Sequence, residues 1–295
     1  MTTLRWGLIG FGEVGSAFGR HIARVTGKPV CLADPLLNQN PQPGYIRDRL
    51  AGFEFRVLPD IPSLVDRCDV VICAVPPSSA MPAVELIAKA WSGGLCIELS
   101  STSPNEKQRA AALFDRPDFV DGAILDSVAR QGEKTPLVLA GPRAEEAREL
   151  FDKLHFRTSV IGQDVGAASA LKMCRSIFMK GLECLYVETL IAAGKCGISE
   201  LVFGSIQETF RAYGFRPLAE MLVTTHAIHC GRRADEMDEV VSMLEDLRLP
   251  STMTKASYKF LQASSATGVT RHFACSVPSN LEEVVAYLAD HQRGE

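Results

Sequence analysis

Three glycines and a carboxylate are the first residues whose types and spacing could do chemistry. Gly10-Phe11-Gly12-Glu13-Val14-Gly15 has the pattern G-x-G-x-x-G. It follows an apolar run at 4–9 that reads as a strand, and it opens a stretch at 13–25 with helical periodicity. In that setting Gly10 permits a tight turn, Gly12 lets the backbone approach a pyrophosphate, and Gly15 lets the helix pack close to the sheet. The free N–H groups at the helix start then face phosphate oxygens. A glycine-rich turn without a ligand is the plainer alternative. Asp34 ends the next apolar run, 29–33. A carboxylate there accepts hydrogen bonds from the adenosine ribose and repels a 2′-phosphate, which predicts NAD. Arg47 and Arg49 follow closely and could fold onto a phosphate, which keeps NADP open. An ordinary loop aspartate before Pro35 is the alternative for Asp34.

These residues need a scaffold, and the first half of the chain supplies one. Short apolar runs at 53–57, 70–75, 95–99, 119–124 and 137–140 alternate with helical patterns at 78–90 and 104–114. Pro104 suits a first helical position. The alternation predicts an α/β fold: a Rossmann-type, doubly wound parallel sheet with helices on both faces. From about Gly166 the strand signal stops. Helices are expected at 167–193, 199–213, 218–228, 233–247 and 252–263, and a last one after Asn280, whose side chain suits an N-cap. The organisation expected is a dinucleotide-binding domain over 1–163 and an all-helical substrate and dimerisation domain over 164–295. The most linker-like stretch, 38–44, lies inside the first domain.

Composition narrows the function classes. The chain has 295 residues, a net charge of −4 and 46% hydrophobic residues, which fits a folded globular protein. That balance gives no basic footprint for nucleic acid and no attraction to an anionic membrane. The nine cysteines are odd in number and form no C-x-x-C pair, so a reducing compartment and no structural zinc are expected. The six histidines show no metal spacing. No signal-peptide pattern and no apolar run of membrane-spanning length stand out, so a soluble, cytoplasmic protein is expected.

Further along, several segments resemble the β-hydroxyacid dehydrogenases, the family of 3-hydroxyisobutyrate and 6-phosphogluconate dehydrogenases. Asp69-Val70-Val71-Ile72-Cys73-Ala74-Val75-Pro76 looks like the family's strand leading to the nicotinamide ribose. Glu98-Leu99-Ser100-Ser101-Thr102-Ser103-Pro104 looks like its acidic-x-S-[ST]-x-x-P segment. Gly166 to Lys172 looks like G-x-G-x-x-x-K, with Ala168 in place of the second glycine. Arg232-Arg233-Ala234-Asp235-Glu236-Met237 resembles the branch with a phosphogluconate dehydrogenase-like C-terminal domain of unknown function.

The resemblance implies hydride transfer between a nicotinamide and the carbon bearing a substrate hydroxyl, with Lys172 as proton shuttle. As a base that lysine must be neutral, so its pKa must fall below about 10.4. Burial and a second cation would lower it, and Arg175 and Lys180 share its helix face. The apolar neighbours Leu171, Met173, Ile177 and Phe178 argue against a solvated surface lysine. Ser176 stands where the family usually has asparagine and could contact substrate, or could simply bond back to its own helix. Arg175 could clamp a carboxylate or form an ordinary ion pair. Val75, Pro76 and Ser101 are expected at the nicotinamide end, and Ser101 and Thr102 at the substrate. Ser100 to Thr102 could equally cap the helix at Pro104. A homodimer is expected through the apolar helical half, with the active site in a cleft between the domains.

Two departures bear on the substrate. The family's D-x-P-V-S-G-G cradle is replaced by Asp121-Gly122-Ala123-Ile124-Leu125-Asp126-Ser127. Ser127 could stand in for part of it, while Asp126 would repel a carboxylate unless protonated or turned away. Met179 replaces the decarboxylating members' glutamate, so no decarboxylation of 6-phosphogluconate is expected unless Glu183 takes that role. The alternatives are an imine reductase-like enzyme, disfavoured by Lys172, and a non-catalytic NAD(P)-binding redox sensor.

Overall fold

The computed structural model describes residues 4–38 and 44–292. Most of the stretch 38–44, and the side chain of Arg47, lie outside the described residues.

Eight strands form one sheet: β1 (Trp6–Ile9), β2 (Val30–Ala33), β3 (Phe55–Val57), β4 (Val70–Cys73), β5 (Leu95–Glu98), β6 (Phe119–Ile124), β7 (Leu137–Ala140) and β8 (Thr158–Val160). Their order is β3-β2-β1-β4-β5-β6-β7-β8. The central strands are continuous buried runs rather than alternating ones, as strands covered on both faces must be. Phe18, Ile22, Leu32 and Phe151 fill one face, and Val71, Ile87, Cys96 and Phe119 the other.

The sheet is not wholly parallel. β7 runs antiparallel to β6, with Asp121 opposite Ala140 and Ile124 opposite Leu137. The connection between them holds only the short turns Val128–Gln131 and Gly132–Lys134, and no helix long enough to carry a crossover. β8 returns through the helix Ala144–Lys153 and pairs parallel with β7. This edge strand has three residues, none of them fully buried, which is why no apolar run announces it.

The chain divides into two compact units, up to Ile177 and from Phe178 onward, and the helix Ala167–Lys195 runs through the division. The second unit holds the helices Ser199–Tyr213, Phe215–Asp246, Thr252–Ala266, Val269–His272 and Leu281–His291. Asn280 caps the last one, accepting from the Glu283 N–H at 3.0 Å. The two helices expected at 218–228 and 233–247 are one. Gly231 sits in its middle, where a Cβ would come within 3.2 Å of Ser265 Oγ. The glycine permits close helix approach rather than a break. Its cost of about 1 kcal/mol is offset by burial of Ala227, Cys230 and Ala234 around it. Asp235 and Glu236 are therefore mid-helix: Arg232 pairs with Glu236, and Arg233 donates to Thr225 Oγ1 at 2.8 Å. Among the described residues no helix is long and apolar enough to cross a membrane, and no cluster is placed to hold a metal ion.

Candidate active site

β1 feeds a turn whose three glycines do different things. Gly10 has φ of 88°, and a Cβ there would collide with the Ala74 carbonyl; a Cβ on Gly15 would overlap the Gly10 carbonyl oxygen. Gly12 has nothing within 4 Å of its Cβ position. Two glycines thus fold the turn and the third leaves a vacant surface. Gly12 is also the N-cap of the helix Glu13–Thr26, with no side chain capping it. The helix start therefore keeps unpaired N–H donors and the positive end of its dipole. The turn borders a cleft of about 630 Å³ whose lining includes Gly12, Asp34, Arg49, Val75 and Pro76. That vacant glycine surface and uncapped helix start fit the pyrophosphate of a dinucleotide.

The Asp34 carboxylate accepts from the Phe11 N–H at 2.7 Å and from the Leu36 N–H at 2.8 Å. Each oxygen keeps a further lone pair, so these bonds orient the group without exhausting it. Arg49 enters the same cleft, donating to the Phe11 carbonyl at 3.2 Å, with its guanidinium 5.0 Å from the centre of the Tyr45 ring. Glu13 is turned elsewhere: its carboxylate accepts from the Ala129 N–H at 2.8 Å and caps the short turn there. The Phe11 side chain is buried in the core, so that residue can meet a ligand only through its backbone, and Val14 packs partly buried against the same core.

The cleft is tied to Lys172 by two hydrogen bonds. The Val75 N–H donates to Ser100 Oγ at 3.2 Å, and the next residue, Ser101, accepts from Lys172 Nζ at 2.6 Å. Ser100 and Ser101 follow the carboxyl end of β5, where open α/β sheets bind their ligands. Lys172 is on the second turn of Ala167–Lys195. Gly166, at φ 101°, precedes that helix at a point where a Cβ would come within 3.1 Å of the Pro104 carbonyl oxygen. Burial first, and then the charge of Lys107, hold the Lys172 ammonium below the usual lysine pKa, while Glu98 and Asp121 pull the other way.

The second cation is thus Lys107, not Arg175 or Lys180. Lys107 has no exposed surface; its Nζ lies 2.6 Å from Glu98 Oε2 and 3.1 Å from Asp121 Oδ1. Sequence reasoning missed it because Pro104–Ala111 reads as a polar helix. The available signal was a pair of acids, Glu98 and Asp121, in otherwise apolar strands that had to be answered by a cation.

The remaining expected residues scatter. Arg175 is exposed and close enough to help lower the Asp126 pKa. Asp126 is held below the usual carboxylate range chiefly by the Ser127 N–H and then by Arg130. It accepts from Arg130 at 2.8 Å and Gln131 at 2.5 Å, so it is ionised and engaged by its own turn. Ser127 is half-buried, and its side chain makes no capping bond. Ser176 is exposed one turn beyond Lys172. Thr102 is buried beneath the helices Pro77–Ala90 and Pro104–Ala111, beside Ala80, Val84 and Ala110, so its hydroxyl is not on an open surface. Lys180 belongs to the second unit and pairs with Glu183 at 3.4 Å, which engages that glutamate as well. The cap at Pro104 is Ser103, in a reciprocal pairing with Glu106, and not Ser100 to Thr102. Of the side chains expected to shelter Lys172, Leu171 is half-buried while Met173, Ile177 and Phe178 are open in the single chain, Ile177 at 78%.

Residues 193–264 match the model of a domain of unknown function, DUF1932. An uncharacterised 28.5 kDa protein from Methanothermus fervidus is 28% identical over 86% of this chain and 96% of its own. The solved structure of the conserved protein MTH1747, described as similar to 3-hydroxyacid dehydrogenases, is 29% identical with a TM-score of 0.59, covering 89% of this chain and 98% of that one. An imine reductase from Myxococcus stipitatus, in complex with NADP+, shares the fold at 17% identity and a TM-score of 0.71, over 96% of this chain and 99% of its own.

Proposed function

We propose that this chain, which matches DUF1932 over residues 193–264 and is 29% identical to a solved structure described as similar to 3-hydroxyacid dehydrogenases, is a nicotinamide-dependent oxidoreductase of the β-hydroxyacid dehydrogenase kind, interconverting a hydroxyl-bearing carbon and its carbonyl. Lys172 is its proton shuttle. The observation that carries this reading is the 2.6 Å bond between Lys172 Nζ and Ser101 Oγ, fastened through Ser100 to the wall of the dinucleotide-sized cleft.

Gly10, Gly12 and the N–H groups of Glu13, Val14 and Gly15 would hold the pyrophosphate, Asp34 the adenosine ribose, and Val75, Pro76 and Ser101 the nicotinamide end. The bound nicotinamide supplies or accepts the hydride. In the reducing direction the Lys172 ammonium gives its proton to the developing alkoxide oxygen. In the oxidising direction the neutral amine takes the hydroxyl proton, and its lowered pKa makes that form available nearer neutrality. Ser101 orients the amine through their shared hydrogen bond. Arg175, Ser176 and Ser127 are the proposed substrate contacts, with Arg175 in the role of a clamp on a carboxylate. NAD is the proposed cofactor. Arg49 keeps NADP as the second option, and titrating NAD(H) and NADP(H) into wild type, Asp34→Ala and Arg49→Ala decides between them. Preference for NADP(H) lost in Arg49→Ala would reverse the assignment.

A second reading, reduction of C=N, is favoured by the fold shared with an imine reductase and by the missing S-G-G cradle. A panel of hydroxyacids and cyclic imines separates the two: turnover of hydroxyacids abolished in Lys172→Met supports the first, and imine turnover surviving that substitution supports the second. No turnover of either class, with nucleotide binding intact, would point to a sensor. Release of CO2 from 6-phosphogluconate would contradict the reading of Met179. The proposed assembly is a homodimer in which a second copy covers the apolar side chains that the helical unit leaves exposed, Leu201, Phe215 and Phe260 among them.

A further inference from the structure

We propose that Lys107 is a positioning residue for the Lys172–Ser101 pair: with Glu98 and Asp121 it forms a buried ion cluster that clamps both partners and sets the charge on the shuttle. This rests on the reading of Lys172 given above.

The cluster begins in the sheet. Glu98, the last residue of β5, is in register with Asp121 of β6, so two carboxylates face one another inside the protein. Lys107, one turn into the helix capped by Ser103, reaches back between them and also donates to the backbone carbonyls of Glu98 at 2.8 Å and Gly122 at 3.4 Å. A Cβ on Gly122 would collide with Leu99, so the strand is kept bare beside the ammonium. An apolar trio of similar volume is usually as stable as a buried ion cluster or more so. Stability alone therefore gives no reason for three ionisable groups here.

What the cluster does is hold two ends of one hydrogen bond. Glu98 Oε1 accepts from the Ser100 N–H at 2.8 Å and fixes the loop that presents Ser101. Asp121 accepts from the N–H groups of Gly166 at 3.1 Å and Ser169 at 3.0 Å, and from Ser169 Oγ at 2.7 Å. It thereby fixes the first turn of the helix that presents Lys172. Lys107 joins the two carboxylates, and so joins the loop to the helix. Its charge also acts on Lys172 directly, opposing protonation, while Glu98 and Asp121 favour it. These three are the charged groups acting on the shuttle from β5, β6 and the Pro104–Ala111 helix.

The two kinds of member therefore pull in opposite directions, which mere damage to the fold does not reproduce. The test reads Lys172 itself, not turnover: the pH dependence of its acylation by acetic anhydride, followed by mass spectrometry on the full-length protein. In Lys107→Met the midpoint should rise by about one unit, the size expected for loss of a nearby like charge. In Glu98→Gln it should fall, and in Lys107→Arg, which keeps the charge, it should stay near wild type. Midpoints unmoved in both Lys107→Met and Glu98→Gln, or moved in the same direction, overturn the proposal. If Lys107→Met does not fold, Glu98→Gln decides alone: a fall supports the proposal and no change overturns it. Failure of the shuttle reading is seen separately, as turnover retained in Lys172→Met.

Discussion

The sheet-containing unit buries Phe11, Phe18, Phe119 and Phe151 almost completely, whereas in the helical unit Leu201 is 74% exposed and Phe215 65%. Phe178, Met179, Phe203 and Phe210, which helical periodicity would place in a core, are open as well. The first unit closes its core within one chain and carries every hydrogen bond around Lys172. The second leaves many large apolar side chains exposed in the single chain. The bonds to Lys172 and a closed core go together in one unit, and the other leaves the apolar side chains that the proposed homodimer would cover.

The largest expected effect separates chemistry from folding within the first unit. Lys172→Met should lower kcat by about 10²–10⁴-fold, the usual worth of a positioned acid–base group, while leaving the thermal midpoint and nucleotide binding near wild type. Steady-state kinetics beside calorimetry read both. Next come the glycines. Gly15→Ala forces a Cβ into the Gly10 carbonyl and should cost roughly 1–3 kcal/mol or more of stability, read by urea denaturation. Gly12→Ala meets nothing in the fold and should leave stability within about 0.5 kcal/mol, yet weaken nucleotide binding about tenfold by standing where a phosphate would lie. Equal stability losses for the two would break the division of labour within the turn.

The second unit is tested by association. Sedimentation should give wild type at about twice 32.1 kDa, and Leu201→Asp should move it towards the monomer with the sheet-containing unit intact. A monomeric wild type would overturn the partner reading. A pH effect follows from Lys172, whose pKa is lowered in the folded protein. Oxidation should rise with pH through that lowered value and reduction should fall through it, and the mirror-image profiles measured on one substrate pair check the sign. The smallest effect is in the helical unit. Burial would raise the Glu188 pKa, but hydrogen bonds from Thr254 and the Met253 N–H outweigh it and hold the carboxyl low. Its contribution to stability is present above the unfolded value and is lost as pH falls through the lower folded one. The gap in urea midpoint between wild type and Glu188→Gln should therefore close in acid.

Legibility in the sequence did not follow that divide, since the first unit holds both the clearest and the least readable features. The strand-turn-helix at Gly10 was readable because each glycine has a local steric duty. The central strands were readable because burial on both faces leaves an uninterrupted apolar run. Lys107 was not readable from its own segment: Pro-Asn-Glu-Lys-Gln-Arg looks solvated, and only the two strand carboxylates, Glu98 and Asp121, called for a cation that the returning helix supplies. The helices expected at 218–228 and 233–247 leave Gly231 in a gap, whereas it marks a close approach to Ser265 within one continuous helix. The reversal of β7 depended on the want of a crossover helix, which local periodicity does not reveal. The sequence places Lys172 by resemblance, but the cation that acts on it comes from a helix far away in the chain.

The pairing of β1 also sets a schedule for folding. Trp6–Ile9 lies between β2 and β4, and Gly7 is bridged to Cys31 on one side and to Val71 on the other. On an emerging chain the first neighbour arrives early, but the second arrives only after the intervening helices and β3 have been made. Until then an edge of this buried strand stays open, and such edges make slow, non-local sheets prone to misassembly. The antiparallel helices Phe215–Asp246 and Thr252–Ala266, joined by a short turn, need no such wait. The slow step of maturation should lie in closing β4 onto β1, ahead of any association between copies.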